Sequence, residues 1–75
     1  MKLMINGQEA KEGMEVTTFR GETYILTGWR EPGQRCGGMN GKVYCKTKED
    51  YEANTIWNNE WYPSVIGGKF VEEDS

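Results

Sequence analysis

Seventy-five residues make a single domain, of a size whose core buries only about 60% of the unfolded surface, so nearly all of the chain must take part in folding. Twelve acidic residues against nine basic ones, with no histidine, give a net charge of −3, which argues against a general phosphate-binding surface and removes the commonest acid-base catalyst and metal ligand. Apolar residues are only 36% of the chain, but three Trp, four Tyr and two Phe can carry a small core, each ring burying about 150–250 Å².

In chain order, Lys2 to Ile5 alternates as a short strand and ends at Asn6-Gly7, the strongest two-residue hairpin signal. The return arm, Gln8 to Ala10, runs into a turn at Lys11-Glu12-Gly13. Glu15 to Phe19 reads as a β-branched strand with Val16 inward, broken by Arg20-Gly21. Glu22 to Trp29 is the best strand, apolar on both parities and therefore partly covered on both faces, with Gly28 marking a bulge or bend. Residues 30–40 hold Pro32, Gly33, Gly37 and Gly38 without apolar periodicity, which predicts a mobile loop.

Lys42 to Lys46 is a second clear strand, with Val43 and Cys45 on its inner face and Lys42, Tyr44 and Lys46 on the other. Thr47 to Asn54 is polar and has no apolar stripe, so a surface excursion is expected rather than one helical turn. Asn58-Asn59, between Ile56-Trp57 and Trp61-Tyr62, fits either a tight hairpin or a continued loop. Pro63 cannot donate to a ladder and ends the strand there; Pro63 to Ile66 then makes a 3-10 turn, and Gly67-Gly68 releases the chain into a last strand, Lys69 to Val71. Five to six short antiparallel strands predict an all-β, closed or nearly closed barrel over residues 1–71, followed by an acidic tail at 72–75. Without Glu72, Glu73 and Asp74 the domain carries nine residues of each sign. The expected core is Ile5, Val16, Phe19, Ile25, Leu26, Val43, Cys45, Val65, Ile66 and Phe70.

The order of strand, bend, strand, aromatic-Pro turn and short final strand resembles that of SH3-like barrels, whose last third carries a Phe-Pro-x-Asn-Tyr-type segment. The matching stretch here is Tyr62-Pro63-Ser64-Val65-Ile66. Val65 and Ile66 stand where the peptide-binding members have the Asn and Tyr of their groove, and the Ala-Leu-Tyr-Asp-Tyr type of opening motif is missing. The resemblance thus implies the barrel and not polyproline binding. Arg20-Gly21-Glu22, Gly28-Trp29-x-Glu31-Pro32, Gly41-Lys42-Val43-Tyr44 and Tyr62 to Gly67 also look like segments of small proteins encoded by bacteriophages and prophages. That resemblance implies a phage accessory product that binds and redirects or inhibits a host protein in the host cytoplasm.

Catalytic patterns are lacking. There is no His, neither Cys36 nor Cys45 has an evident activating base, and Gly33 to Gly38 lacks the Lys-Ser/Thr ending of a phosphate-binding loop, so no enzyme and no cofactor are expected. Cys36 and Cys45 form no Cys-x-x-Cys pair, and no metal site is expected. They read as free thiols, with a disulfide across the intervening turn as the alternative in an oxidising compartment. The four apolar residues before Asn6 are too few for a secretory leader and no segment reaches membrane-spanning length, so the chain reads as cytoplasmic, without membrane contact.

The aromatic residues are the concentrated functional candidates, because so small a barrel cannot bury every ring. The surface expected to bind a protein carries Trp57, Trp61 and Tyr62, with Trp29, Arg30 and Arg35 from the strand end and long loop. The alternative is a nucleic-acid or nucleotide binder using the strip of Lys42, Tyr44 and Lys46, diluted by Glu31, Glu49 and Asp50. A third reading is assembly by strand pairing at free sheet edges; the state expected is a monomer or small homo-oligomer.

Overall fold

The computed structural model describes residues 1–33 and 40–72, and is mostly β, with two antiparallel sheets. Arg35, Cys36 and the end of the acidic tail lie outside the described residues.

Strand β1 (Lys2–Ile5) pairs with β2 (Gln8–Glu9) through the hairpin at Asn6-Gly7, both of which take positive φ, 49° and 82°. This is the backbone that a right-twisted two-residue turn demands. After β3 (Glu15–Thr17) and a turn at residues 18–22 comes the long strand β4 (Thr23–Arg30), then β5 (Lys42–Lys46), the short helix α1 (Lys48–Glu52), β6 (Asn59–Trp61), a 3-10 turn (Pro63–Ile66) and β7 (Gly68–Val71). One sheet has the order β2-β1-β7, the other β3-β4-β5-β6. The first strand thus pairs with the last, Lys2 opposite Val71 through Ile5 opposite Gly68.

The closed or nearly closed barrel that the sequence suggests is not closed, and among the described residues seven strands stand where five or six were expected. The sheets share no strand, because β2 stops at Glu9 and residues 10–14 cross between sheets as a turn. Isolated backbone bonds tie this segment to each sheet in turn: Ala10 N–H to the Leu3 carbonyl of β1 at 2.9 Å, then Gly13 N–H to the Leu26 carbonyl of β4 at 2.7 Å and Leu26 N–H to the Met14 carbonyl at 2.9 Å.

The bulge anticipated at Gly28 is present: the β4–β5 register runs Leu26 opposite Cys45, then Gly28 opposite Tyr44, leaving Thr27 as the extra residue. The Thr27 hydroxyl satisfies the interrupted ladder, lying 3.0 Å from the Tyr44 carbonyl and 2.8 Å from the side-chain amide of Asn58.

At residues 47–54 a helix replaces the expected surface excursion, and at 56–58 the continued loop, one of the two alternatives left open, is what forms. Thr47 caps a five-residue helix, its hydroxyl accepting from the Asp50 N–H at 3.1 Å, with Glu49 and Asp50 favourably placed in the first turn. The signal was the capping Thr47 with an acid three residues on, which outweighs the missing apolar stripe because α1 buries no residue and needs none. The segment Ile56–Asn58 then stays irregular, so no hairpin forms around Asn58-Asn59; only Asn59–Trp61 pairs, with β5.

Between the sheets lie Leu3, Ile5, Ala10, Val16, Leu26, Val43, Cys45 and Ile66. Leu3 and Ala10 join the expected core. Phe19 leaves it: it sits in the β3–β4 turn and is 75% exposed. Val65 and Phe70 are only half-buried, packed against the cluster from its margin. Ile25 is buried but outside the cluster, in register with Lys46 on the opposite face, where α1 packs against β4 and β5. Among the described residues no helix is long and apolar enough to cross a membrane.

Candidate functional site

Strand alternation distributes the predicted site residues between two surfaces. Val43 is in register with Trp29 on one side and Trp61 on the other, so both tryptophans point inward and pack, half-buried, against the core. Trp61 also meets the Tyr24 ring edge-on, with centroids 4.8 Å apart and planes at 89°. Tyr62, one residue later, faces the opposite way and is 53% exposed. Trp61 and Tyr62 therefore do not share a surface. Trp57 is 75% exposed in the irregular segment before β6, beside Ile56 at 85%.

The first surface is a groove between the β3–β4 turn and the 3-10 turn, lined by Thr18, Phe19, Arg20, Glu22, Trp61 and Val65. Thr18 builds its rim. The buried hydroxyl accepts from the backbone N–H of Arg20 at 3.3 Å and of Glu22 at 3.2 Å, while the Thr18 N–H donates to the Glu22 carbonyl at 2.8 Å. A further bond, from the Phe19 N–H to the Val65 carbonyl at 3.0 Å, ties the turn to the 3-10 element. The Phe19 ring is thus held out on an anchored backbone, with the Arg20 guanidinium 5.6 Å from its centroid. Sequence reasoning placed Phe19 inside because it extended the β-branched run by two residues; Gly21 in Phe19-Arg20-Gly21-Glu22 was the available sign of a turn tip.

The second surface is the outer face of the four-stranded sheet. Arg30 lies opposite Lys42, and Gly28, Tyr44 and Glu60 form the next row across. The Lys42 ammonium sits 4.0 Å from the Tyr62 ring centroid. Lys46 donates instead to the Thr55 carbonyl, which draws its side chain toward the segment after α1. Arg30, Lys42, Tyr44 and Tyr62 are therefore brought together, and Lys46 marks the end of their row.

Burial pushes the Cys45 thiol up to about 11 from 9.0, so at neutral pH it is a protonated apolar side chain and not a nucleophile. No group of three or more His, Cys, Asp or Glu side chains that could hold a metal occurs among the described residues. Comparison with known protein families, with curated proteins and with solved structures returns no match to this chain.

Proposed function

We propose that this chain is a binding module without catalytic chemistry that docks a protein partner through the groove beside Phe19, with the exposed Trp57 as a further anchor. The observation that carries the reading is the Phe19 ring, 75% exposed while its own N–H is bonded to the Val65 carbonyl. Burying such a ring is worth about 1.5–3 kcal/mol, and an anchored backbone removes the ordering cost a partner would otherwise meet. Trp61 and Val65 offer the apolar floor, and Arg20 and Glu22 the polar rim, of a small hot spot.

The SH3-like description of the fold belongs to this proposal. It is supported by pairing of the first strand with the last and by the 3-10 turn between β6 and β7. The phage or prophage setting, and a host protein inhibited in the host cytoplasm as the partner, rest on the resemblance of the segments named above. Affinity capture from host lysate tests the reading. A partner retained by the parent chain and lost with Phe19→Ser, which leaves the core untouched, supports it; capture indifferent to both Phe19→Ser and Trp57→Ala refutes it.

A further inference from the structure

A different surface carries a second inference, independent of the groove. On the outer face of β4, β5 and β6, Arg30 and Lys42 are cross-strand neighbours, and Tyr44 follows Lys42 by two residues, about 7 Å along the strand. Among the described residues the single ion pair is that between the N-terminal amine and Glu31. Neither Arg30 nor Lys42 has a carboxylate within pairing distance among the described residues. Lys42 instead lies over the Tyr62 ring, an arrangement that holds the ammonium in place without neutralising it.

The ground beside Tyr44 is open. Its cross-strand neighbour on β4 is Gly28, and a Cβ placed there meets nothing within 4 Å. On the other side lies Glu60, exposed and in register with Tyr44. A half-buried ring with a bare strand on one flank, a hydrogen-bond acceptor on the other and two uncompensated cations next along the row has the requirements for holding a planar base attached to a phosphate chain. Stacking accepts any base, the cations take the backbone, and Glu60 can accept from a base N–H.

We infer that the outer face of the four-stranded sheet binds a short single-stranded nucleic-acid segment, with Tyr44 as the stacking platform and Arg30 and Lys42 on the phosphates. Lys46, turned to the Thr55 carbonyl, closes the row, so the face takes about two or three bases and not a long track. Duplex is excluded by the same geometry, because its bases are stacked on one another. The net charge of −3 is no obstacle to a patch of this size, since screening limits the acidic residues' reach to about 8–10 Å at ordinary salt.

The test is fluorescence anisotropy of a labelled short oligothymidylate with the whole chain, at low and at moderate salt. Saturable binding is expected, weakened about fivefold or more by Tyr44→Ala and restored by Tyr44→Phe. Gly28→Leu, whose Cβ meets nothing within 4 Å and whose side chain would cover the open flank, should weaken binding while leaving the thermal midpoint within a few degrees. Lys42→Gln should flatten the salt dependence. Phe19→Ser should leave oligonucleotide affinity unchanged, which separates this surface from the groove. The inference is overturned if the parent chain does not bind, if Tyr44→Ala and Gly28→Leu both bind like the parent, or if polyglutamate or polyphosphate competes as well as the oligonucleotide.

Discussion

Gly41 is the position where backbone conformation and packing act together most sharply. Its φ is +75°, and a Cβ there would run into the Phe70 ring and approach the Arg30 carbonyl to 2.8 Å. The Phe70 ring is half-buried and can turn aside, but the Arg30 carbonyl belongs to the strand itself and cannot move without disturbing the β4–β5 ladder. For Gly41→Ala the left-handed conformation costs about 1–2 kcal/mol and the overpacking about 1–3 kcal/mol more, so a loss of about 3 kcal/mol is expected. Gly21, at φ +83° with nothing within 4 Å, isolates the first contribution: Gly21→Ala should lose only about 1–2 kcal/mol. Gly28→Ala, without positive φ and with open space, should change stability by less than about 1 kcal/mol in either direction. Urea unfolding followed by tryptophan fluorescence reads all three. At a slope of about 1 kcal/mol per molar, midpoints should fall by about 3 M, 1–2 M and under 1 M respectively. A total stability of about 4–11 kcal/mol leaves Gly41→Ala measurable if marginal. Equal losses for Gly41→Ala and Gly21→Ala would refute the packing half of the reasoning.

Three further outcomes follow from the same structure. Leu26→Ala, at a fully buried site between the sheets, should cost about 2–5 kcal/mol, whereas Phe19→Ala should stay within about 0.5 kcal/mol; reversed magnitudes in urea melts would return Phe19 to the core. Thr18→Ala strips the turn of the hydroxyl that accepts from two N–H groups and should lose about 1–2 kcal/mol, with Thr18→Ser recovering most of it, read by the thermal midpoint. For Cys45, a folded-state pKa near 11 against 9.0 means that the folded chain holds its proton where the unfolded chain has lost it. That stability is fully present below about pH 9 and is lost as the pH rises toward 11, by roughly 2 kcal/mol on a linkage estimate. The fall from pH 8 to 11 should be shallower by about that amount in Cys45→Ala, and an identical slope would contradict the burial argument.

Local chemistry explains which elements were readable in advance. Asn6-Gly7, the alternation through Lys42–Lys46, the bulge at Gly28 and the 3-10 turn after Tyr62 each depend on residues within a few positions of one another, so composition and spacing suffice. Phe19 was misplaced because a ring in a β-rich run looks the same whether the strand ends at Thr17 or at Phe19; that end is set by the Thr18 hydroxyl and by the bond from the Phe19 N–H to the Val65 carbonyl, a partner 46 positions later in the chain. The candidate site divides in the same way. Lys42, Tyr44 and Lys46 were legible as one strand face, but Arg30 and Tyr62 joined them, and Lys46 was drawn away, only through cross-strand register and the path of residues 53–58.

The sequence by itself determined the strand periodicities, the turn chemistry and the absence of histidine, because these are properties of neighbouring residues and of composition. Tertiary structure alone decided that the sheets stay open rather than closing into a barrel, that Trp61 turns inward while Tyr62 turns out, and that Phe19 stands in solvent beside a groove. The physical reason is that each of these outcomes depends on which distant backbone supplies the missing hydrogen bond. A residue's exposure follows from that pairing and not from its own polarity.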